Sequence, residues 1–163
     1  MIPLGTLASA YVQPSTPGGA GLWVAVGDSS KLATSPDGTT WTQQTSSFGT
    51  TTIYAVAHDG TQWVAVGGDG LLATSPDGAT WTQQTSSFGT SAIYAVAHDG
   101  TQWVAVGLSG LLATSPDGIT WTQQTSSFGT SAIRAVAHDG TQWVAVGNSG
   151  LLATSPDGAT WTQ

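Results

Sequence analysis

Three observations predict an all-β chain, a β-propeller of four four-stranded antiparallel blades. The stretch Ser-Pro-Asp-Gly-x-Thr-Trp recurs at residues 35–41, 75–81, 115–121 and 155–161, always 40 residues apart. No window carries a helical period, and Ile, Val, Thr and Trp dominate the apolar runs. Each 40-residue unit holds four such runs separated by turn signals, the measure of one propeller blade.

The blades are expected at about 6–50, 51–90, 91–130 and 131–163, with 1–20 the only segment lacking a close internal copy. There, 6–12 reads as a strand, and 13–21, rich in Pro, Gly, Ser and Thr, reads as a loop. In the second unit the first run, 53–58, ends at Asp59-Gly60, a hairpin signal between β-prone runs. The second, 62–67, carries Trp63, Val64 and Val66 and ends in Gly68-Asp69-Gly70. The third, 71–75, is closed by Pro76-Asp77-Gly78, in which Pro presets φ, Asp can bond the backbone two residues on, and Gly accepts positive φ. The fourth, 80–84, leads into the loop 85–90 with Phe88. The inner runs are apolar on both faces, which suits sheets sandwiched between neighbours. The outer run alternates Thr and Gln around Trp, as a half-solvated strand that discourages edge pairing should.

Composition narrows the functions. The whole basic complement is Lys31 and Arg134, all nine acidic residues are Asp, and the net charge is −7. Without clustered Lys or Arg, neither nucleic acid nor an anionic membrane is an expected partner. Cysteine is absent, so disulfides and thiolate metal sites are not available. The N-terminal residues lack the basic start and sustained apolar stretch of a secretory signal, and no apolar run is long enough to form a transmembrane helix.

The eight tryptophans occupy repeated positions: Trp23, Trp63, Trp103 and Trp143 on second strands, and Trp41, Trp81, Trp121 and Trp161 after the Pro-Asp-Gly turns. They could be sugar platforms, but burying each removes about 150–250 Å² from water, and in a chain almost without ion pairs they read as core. The repeated stretch resembles the Asp-box of bacterial and phage neuraminidase-repeat propellers, whose usual form is Ser-x-Asp-x-Gly-x-Thr-Trp; here one residue fewer separates Asp from Gly. The resemblance covers 22–163. It implies that the box, with Asp37, Asp77, Asp117 and Asp157 and the four Trp that follow, is a structural turn between third and fourth strands. It does not imply sialidase activity.

No catalytic constellation is expected. Sialidases that share the box depend on an arginine cluster and a Tyr activated by Glu, and one Arg with no Glu cannot supply them. A glycosidase pair would have to be drawn from Asp alone. Most Asp have a turn role instead: four lie in boxes, and Asp59, Asp99 and Asp139 lie in hairpin turns. His58, His98 and His138 could form a ring around the axis. Each is followed by a duplicated Asp-Gly turn, however, and neighbouring inner strands stand too far apart to share a metal, so no metal or other cofactor is expected. No nucleophile elbow supports a Ser-His-Asp triad.

The copies differ little, and where they differ is informative. Units 51–90 and 91–130 differ at five of 40 positions, and 131–163 differs from its counterpart at three of 33, so duplication is recent or deliberate. Residues 28, 68, 108 and 148 are Asp, Gly, Leu and Asn; 54, 94 and 134 are Tyr, Tyr and Arg. In an up-and-down blade both sets open on one face. We therefore expect a ligand surface of Tyr54, Tyr94, Arg134, Asp28, Asp69, Leu108 and Asn148, with Phe48, Phe88 and Phe128 in its loops. The expected function is a non-enzymatic recognition module for carbohydrate or a surface protein, on a virion or extracellular surface. Alternatives are a structural decoration protein of a virion and an engineered propeller without a natural ligand. Open apolar end faces are avoided in repeat proteins by capping or association, so a homodimer closing one eight-bladed ring is expected, in preference to a four-bladed monomer.

Overall fold

Strands of consecutive sequence pair into four separate antiparallel sheets. The computed structural model describes residues 7–12 and 21–163. Residues 1–6, and the loop expected at 13–21 apart from Gly21, lie outside the described residues. The first sheet is β1 (Leu7–Val12), β2 (Trp23–Gly27), β3 (Leu32–Ser35) and β4 (Thr42–Gln44). The second is β5 (Ile53–His58), β6 (Trp63–Gly67), β7 (Leu72–Ser75) and β8 (Thr82–Gln84). The third is β9 (Ile93–His98), β10 (Trp103–Gly107), β11 (Leu112–Ser115) and β12 (Thr122–Gln124). The fourth is β13 (Ile133–His138), β14 (Trp143–Gly147) and β15 (Leu152–Ser155), extended by a bridge between Thr154 and Thr162. The inner strands β1, β5, β9 and β13 pack in succession. No described helix is long and apolar enough to cross a membrane.

The outer strand starts two residues later than the sequence suggests, because the backbone N–H of Thr80 turns back to the Asp77 carboxylate at 2.7 Å instead of joining the ladder. The hairpin at Asp59-Gly60 is a four-residue connection. Asp59 Oδ1 accepts the N–H groups of Thr61 and Gln62, both at 2.7 Å, and so holds a wider loop than the Asp-Gly pair alone requires. β1 takes the inner place in the first sheet, pairing Leu7 with Gly27 as Ile53 pairs with Gly67.

Alternation across the two inner-facing strands sets the packing between sheets. Val24, Val26 and Leu32 project from one face of the first sheet against Trp63, Ala65, Ala73 and Trp81 on the near face of the second. The same arrangement recurs from second to third sheet and from third to fourth. Branched side chains thus fill the spaces over small alanines, between two indoles. Every such Val and Leu at an internal junction is fully buried, and each contributes roughly 1.5–3 kcal/mol as an upper estimate. The core is therefore three stacked seams between sheets.

Candidate functional site

The variable positions of the inner strands are structurally special. In each inner strand the register shifts by one residue: between Ile53 and Ala55, between Ile93 and Ala95, and between Ile133 and Ala135. Tyr54, Tyr94 and Arg134 are the extra residues of these bulges. A bulge re-aims its side chain and is over-represented beside functional sites. Here the three side chains form a line across neighbouring sheets. The rings of Tyr54 and Tyr94 lie 5.4 Å apart, inclined at 60°, and the Arg134 guanidinium carbon sits 4.4 Å from the Tyr94 ring centre. Arg134 Nε also donates to Asn148 Oδ1 at 2.9 Å, which fixes the plane of the guanidinium. Both tyrosines are half-buried and Arg134 is exposed.

The turns that close this face are type I′, with both central residues left-handed. In Gly68-Asp69-Gly70 the φ angles are 54° at Asp69 and 67° at Gly70, and Leu71 N–H donates to the Gly68 carbonyl at 2.9 Å. Each turn is tied to the loop entering the inner strand: Gly68, Leu108 and Asn148 donate their N–H groups to the carbonyls of Thr52, Ala92 and Ala132. Asp69 accepts from the Thr51 hydroxyl at 3.1 Å, and Asp28 from the Thr52 hydroxyl of the next sheet at 3.3 Å. Leu108 is exposed. The structure therefore brings Tyr54, Tyr94, Arg134 and Asn148 into one line of contacts, with Asp28, Asp69 and Leu108 on the turns around it.

The phenylalanines do not belong there. Phe48, Phe88 and Phe128 are buried, and each packs in the seam between two sheets. The expectation that they line a ligand surface is corrected by this burial; a side chain at Gly67 would meet the Thr52 carbonyl first and then the Phe48 ring at 3.1 Å, so the glycine lets both approach.

The opposite end of the sheets holds the repeated turns and the histidines. Ser75 Oγ accepts the Gly78 N–H at 2.8 Å, Asp77 Oδ1 accepts those of Ala79 and Thr80, and Trp81 Nε1 donates to the Gly78 carbonyl at 2.9 Å. The other three turns place Asp37, Asp117 and Asp157 on the same backbone donors, and Trp41, Trp121 and Trp161 on the same carbonyl. These donors, those of Thr80 and Thr160 foremost, lower the Asp77 and Asp157 carboxyls to about 2, and Asp37 and Asp117 are lowered by the same cause; in the hairpin turn after His138 the Gln142 N–H does the same for Asp139, also to about 2. Each His accepts the N–H of the Gly two residues on at Nδ1, at 2.8, 3.0 and 3.1 Å, and packs in a tilted ring contact against the Trp of its own sheet. That nitrogen is taken out of coordination, and among the described residues no group of three His or Asp is placed to hold a metal. Partial burial pushes the His58 and His98 imidazoles below their ordinary value, against the attraction of Asp59.

No protein-family model matches the sequence, and no curated protein does. Solved structures do match. YCF48 bound to a D1 peptide is 20% identical with a TM-score of 0.68, over 86% of this chain and 48% of that one. The computationally designed Ika8 is 14% identical with a TM-score of 0.68, over 90% of this chain and 45% of that one. The designed Ika4 is 12% identical, also at 0.68, over 93% of both chains. The fold is a β-propeller. The chain spans about half the length of the YCF48 structures it matches.

Each sheet is thus a propeller blade, and the bulged residues stand at its axial edge. Sequence reasoning missed Thr51 and Thr52 as partners of the acidic turn residues. Their signal was present: Thr51 and Asp69 change together, to Ser91 and Ser109 in the following blade.

The titration pattern predicts acid destabilisation in two stages. His58 and His98 have folded pKa values below the ordinary 6.5, so the unfolded chain binds more protons and stability declines as pH falls through about 6.5. Asp77, Asp139 and Asp157, at about 2 against 3.8, contribute stability present above pH 3.8 and lost as pH falls towards 2. Thermal midpoints measured across this range should fall in both windows; a flat profile down to pH 2 would refute the assignment.

Proposed function

We propose that this propeller is a non-enzymatic recognition module that binds carbohydrate or another surface ligand along the line Tyr54–Tyr94–Arg134. One observation carries the reading: within the inner strands 53–58, 93–98 and 133–138, the position that differs between copies, Tyr54, Tyr94 and Arg134, is the bulged residue. Bulges aim these side chains at the axial mouth, so change there alters the surface without touching the scaffold. Half-buried tyrosine faces offer apolar area with a polar tip, and an oriented guanidinium pairs with planar anionic or hydroxyl groups. A peptide bound to YCF48 lends general support to partner binding by propellers of this kind. The repeated Ser-Pro-Asp-Gly turn, sited between third and fourth strands, supports a shortened Asp-box as the scaffold element. We place the module on a virion or extracellular surface, where repeated blades turn weak sites into avidity.

The ring itself is completed by a second copy. Two lengths of the chain make up roughly the length of Ika8, whereas Ika4 matches it one to one.

Screening the protein against glycan and surface-peptide arrays should yield binders, and Tyr94→Ala or Arg134→Ala should weaken them about 10- to 100-fold, as loss of a Tyr or Arg anchor does. Unchanged binding by both variants would overturn the site. Turnover of a bound glycan would overturn the non-enzymatic reading.

A further inference from the structure

We infer that the two open ends of this four-blade arc are the two halves of one interface, and that a second copy of the chain closes them head to tail. This seam, which rests on the two-copy reading above, is specified by three examples inside the chain. At each internal junction two Val and a Leu of one blade enter a socket of two Trp and two Ala on the next. A polar lock completes two of these junctions: Gln62 Nε2 donates to the Asp117 carbonyl at 2.6 Å, and Gln102 Nε2 to the Asp157 carbonyl.

The end blades carry the same parts without their counterparts. On the fourth blade, Leu152 is 53% exposed and Val146 39%, where Leu72, Leu112, Val66 and Val106 are at 0%. Gln142, the equivalent of the locking glutamines, is exposed. On the first blade, Trp23, Ala33 and Trp41 of the socket are only half-buried, while their equivalents throughout the other three blades are buried; Ala25, the fourth socket residue, is buried here as elsewhere. The box glycines report the same vacancy. A side chain at Gly118 or Gly158 would first meet the Gln and Val of the preceding blade, whereas at Gly38 the three nearest atoms all belong to Trp23 of its own blade.

One end is therefore a plug and the other its socket, and their exposure shows that the chain does not close on itself. A second copy fits both at once. Its socket takes Val144, Val146 and Leu152, and Gln142 Nε2 donates to the carbonyl of Asp37 of the partner subunit. The two seams are heterologous and related by a two-fold axis, so the ring closes at eight blades. Arg134, on the plug blade, then stands at the seam, where the neighbouring inner strand β1 carries Ala8 in the bulge position. The line Tyr54–Tyr94–Arg134 would occur twice around the mouth, ending each time at a subunit boundary.

The test is complementation with the full chain. Light scattering at micromolar concentration should give twice the 16.4 kDa of one chain. Leu152→Asp breaks the plug, Ala33→Glu breaks the socket, and each variant alone should be monomeric with the circular dichroism of the parent. Mixed in equal amounts they should associate again, because the intact socket of one accepts the intact plug of the other. With one seam in place of two, the mixed dimer should be at least about 100-fold weaker than the parent. Gln142→Ala, which leaves the apolar parts in place, should weaken the parent dimer by about 30-fold, the scale of two interface hydrogen bonds, one in each seam. A monomeric or trimeric parent overturns the two-copy reading and the seam together. A parent dimer that survives either end variant, or folded variants that fail to complement, overturns the seam and leaves the two-copy reading standing.

Discussion

Trp103→Ala is expected to destabilise the chain by about 3–5 kcal/mol, the cost of emptying a large aromatic site in a packed core. Trp103 is fully buried, has its ring centre 4.6 Å from that of His98 in a tilted contact, and lies in the seam between second and third blades. Its loss opens a void lined by Val64, Val66 and Leu72, residues whose strands are held by backbone ladders and cannot collapse into it. Trp23 occupies the same position on the first blade but is only half-buried. Trp23→Ala should therefore cost clearly less in the monomeric Leu152→Asp background. Urea denaturation of the two variants measures the difference; equal losses would mean that the seams do not carry the stability.

Gly118→Ala should be nearly as damaging, at about 2–4 kcal/mol, because two penalties coincide. Its φ is +70°, a region that costs an L side chain on its own, and the added carbon would sit 3.0 Å from both Val64 and Gln62 of the preceding blade. Gly38→Ala separates the two terms. Its φ is +73°, but the nearest atoms to the added carbon are those of Trp23 of its own blade, the first at 3.3 Å. In a monomeric background Gly38→Ala should show the backbone penalty alone, about 1–2 kcal/mol. If the two glycines prove equally sensitive there, close approach between blades is not what selects glycine at the box.

Much of this architecture was legible because each repeat states its own turns. Asp77 and Asp59 sit three residues before the N–H groups they accept, so spacing alone identified them as turn residues. Alternation of Val and Ala with Trp likewise announced two buried faces. The phenylalanines were misread for a physical reason. Phe48 stands among Ser, Gly and Thr, a setting that resembles surface loop, and the glycine that makes room for it is 19 residues further on, in the next blade. The bulges were invisible for a related reason: Tyr54 continues the apolar run of its strand, and only pairing with β6 reveals that it is supernumerary. Position 134 was conspicuous as a substitution, yet its contacts with Tyr94 and Asn148 depend on how blades stand beside one another, which no single repeat encodes.

Every sheet draws its strands from one continuous stretch of chain, and none borrows a strand across a junction. A gene built this way can lengthen or shorten by whole units during replication slippage, and each product still folds blade by blade. What such an event changes is the curvature left to be filled and the partners able to fill it. The bulged position lets a copy differ at its mouth while the scaffold around it stays the same. Copy number and surface chemistry thus become separate heritable variables, the first set by recombination and the second by point substitution.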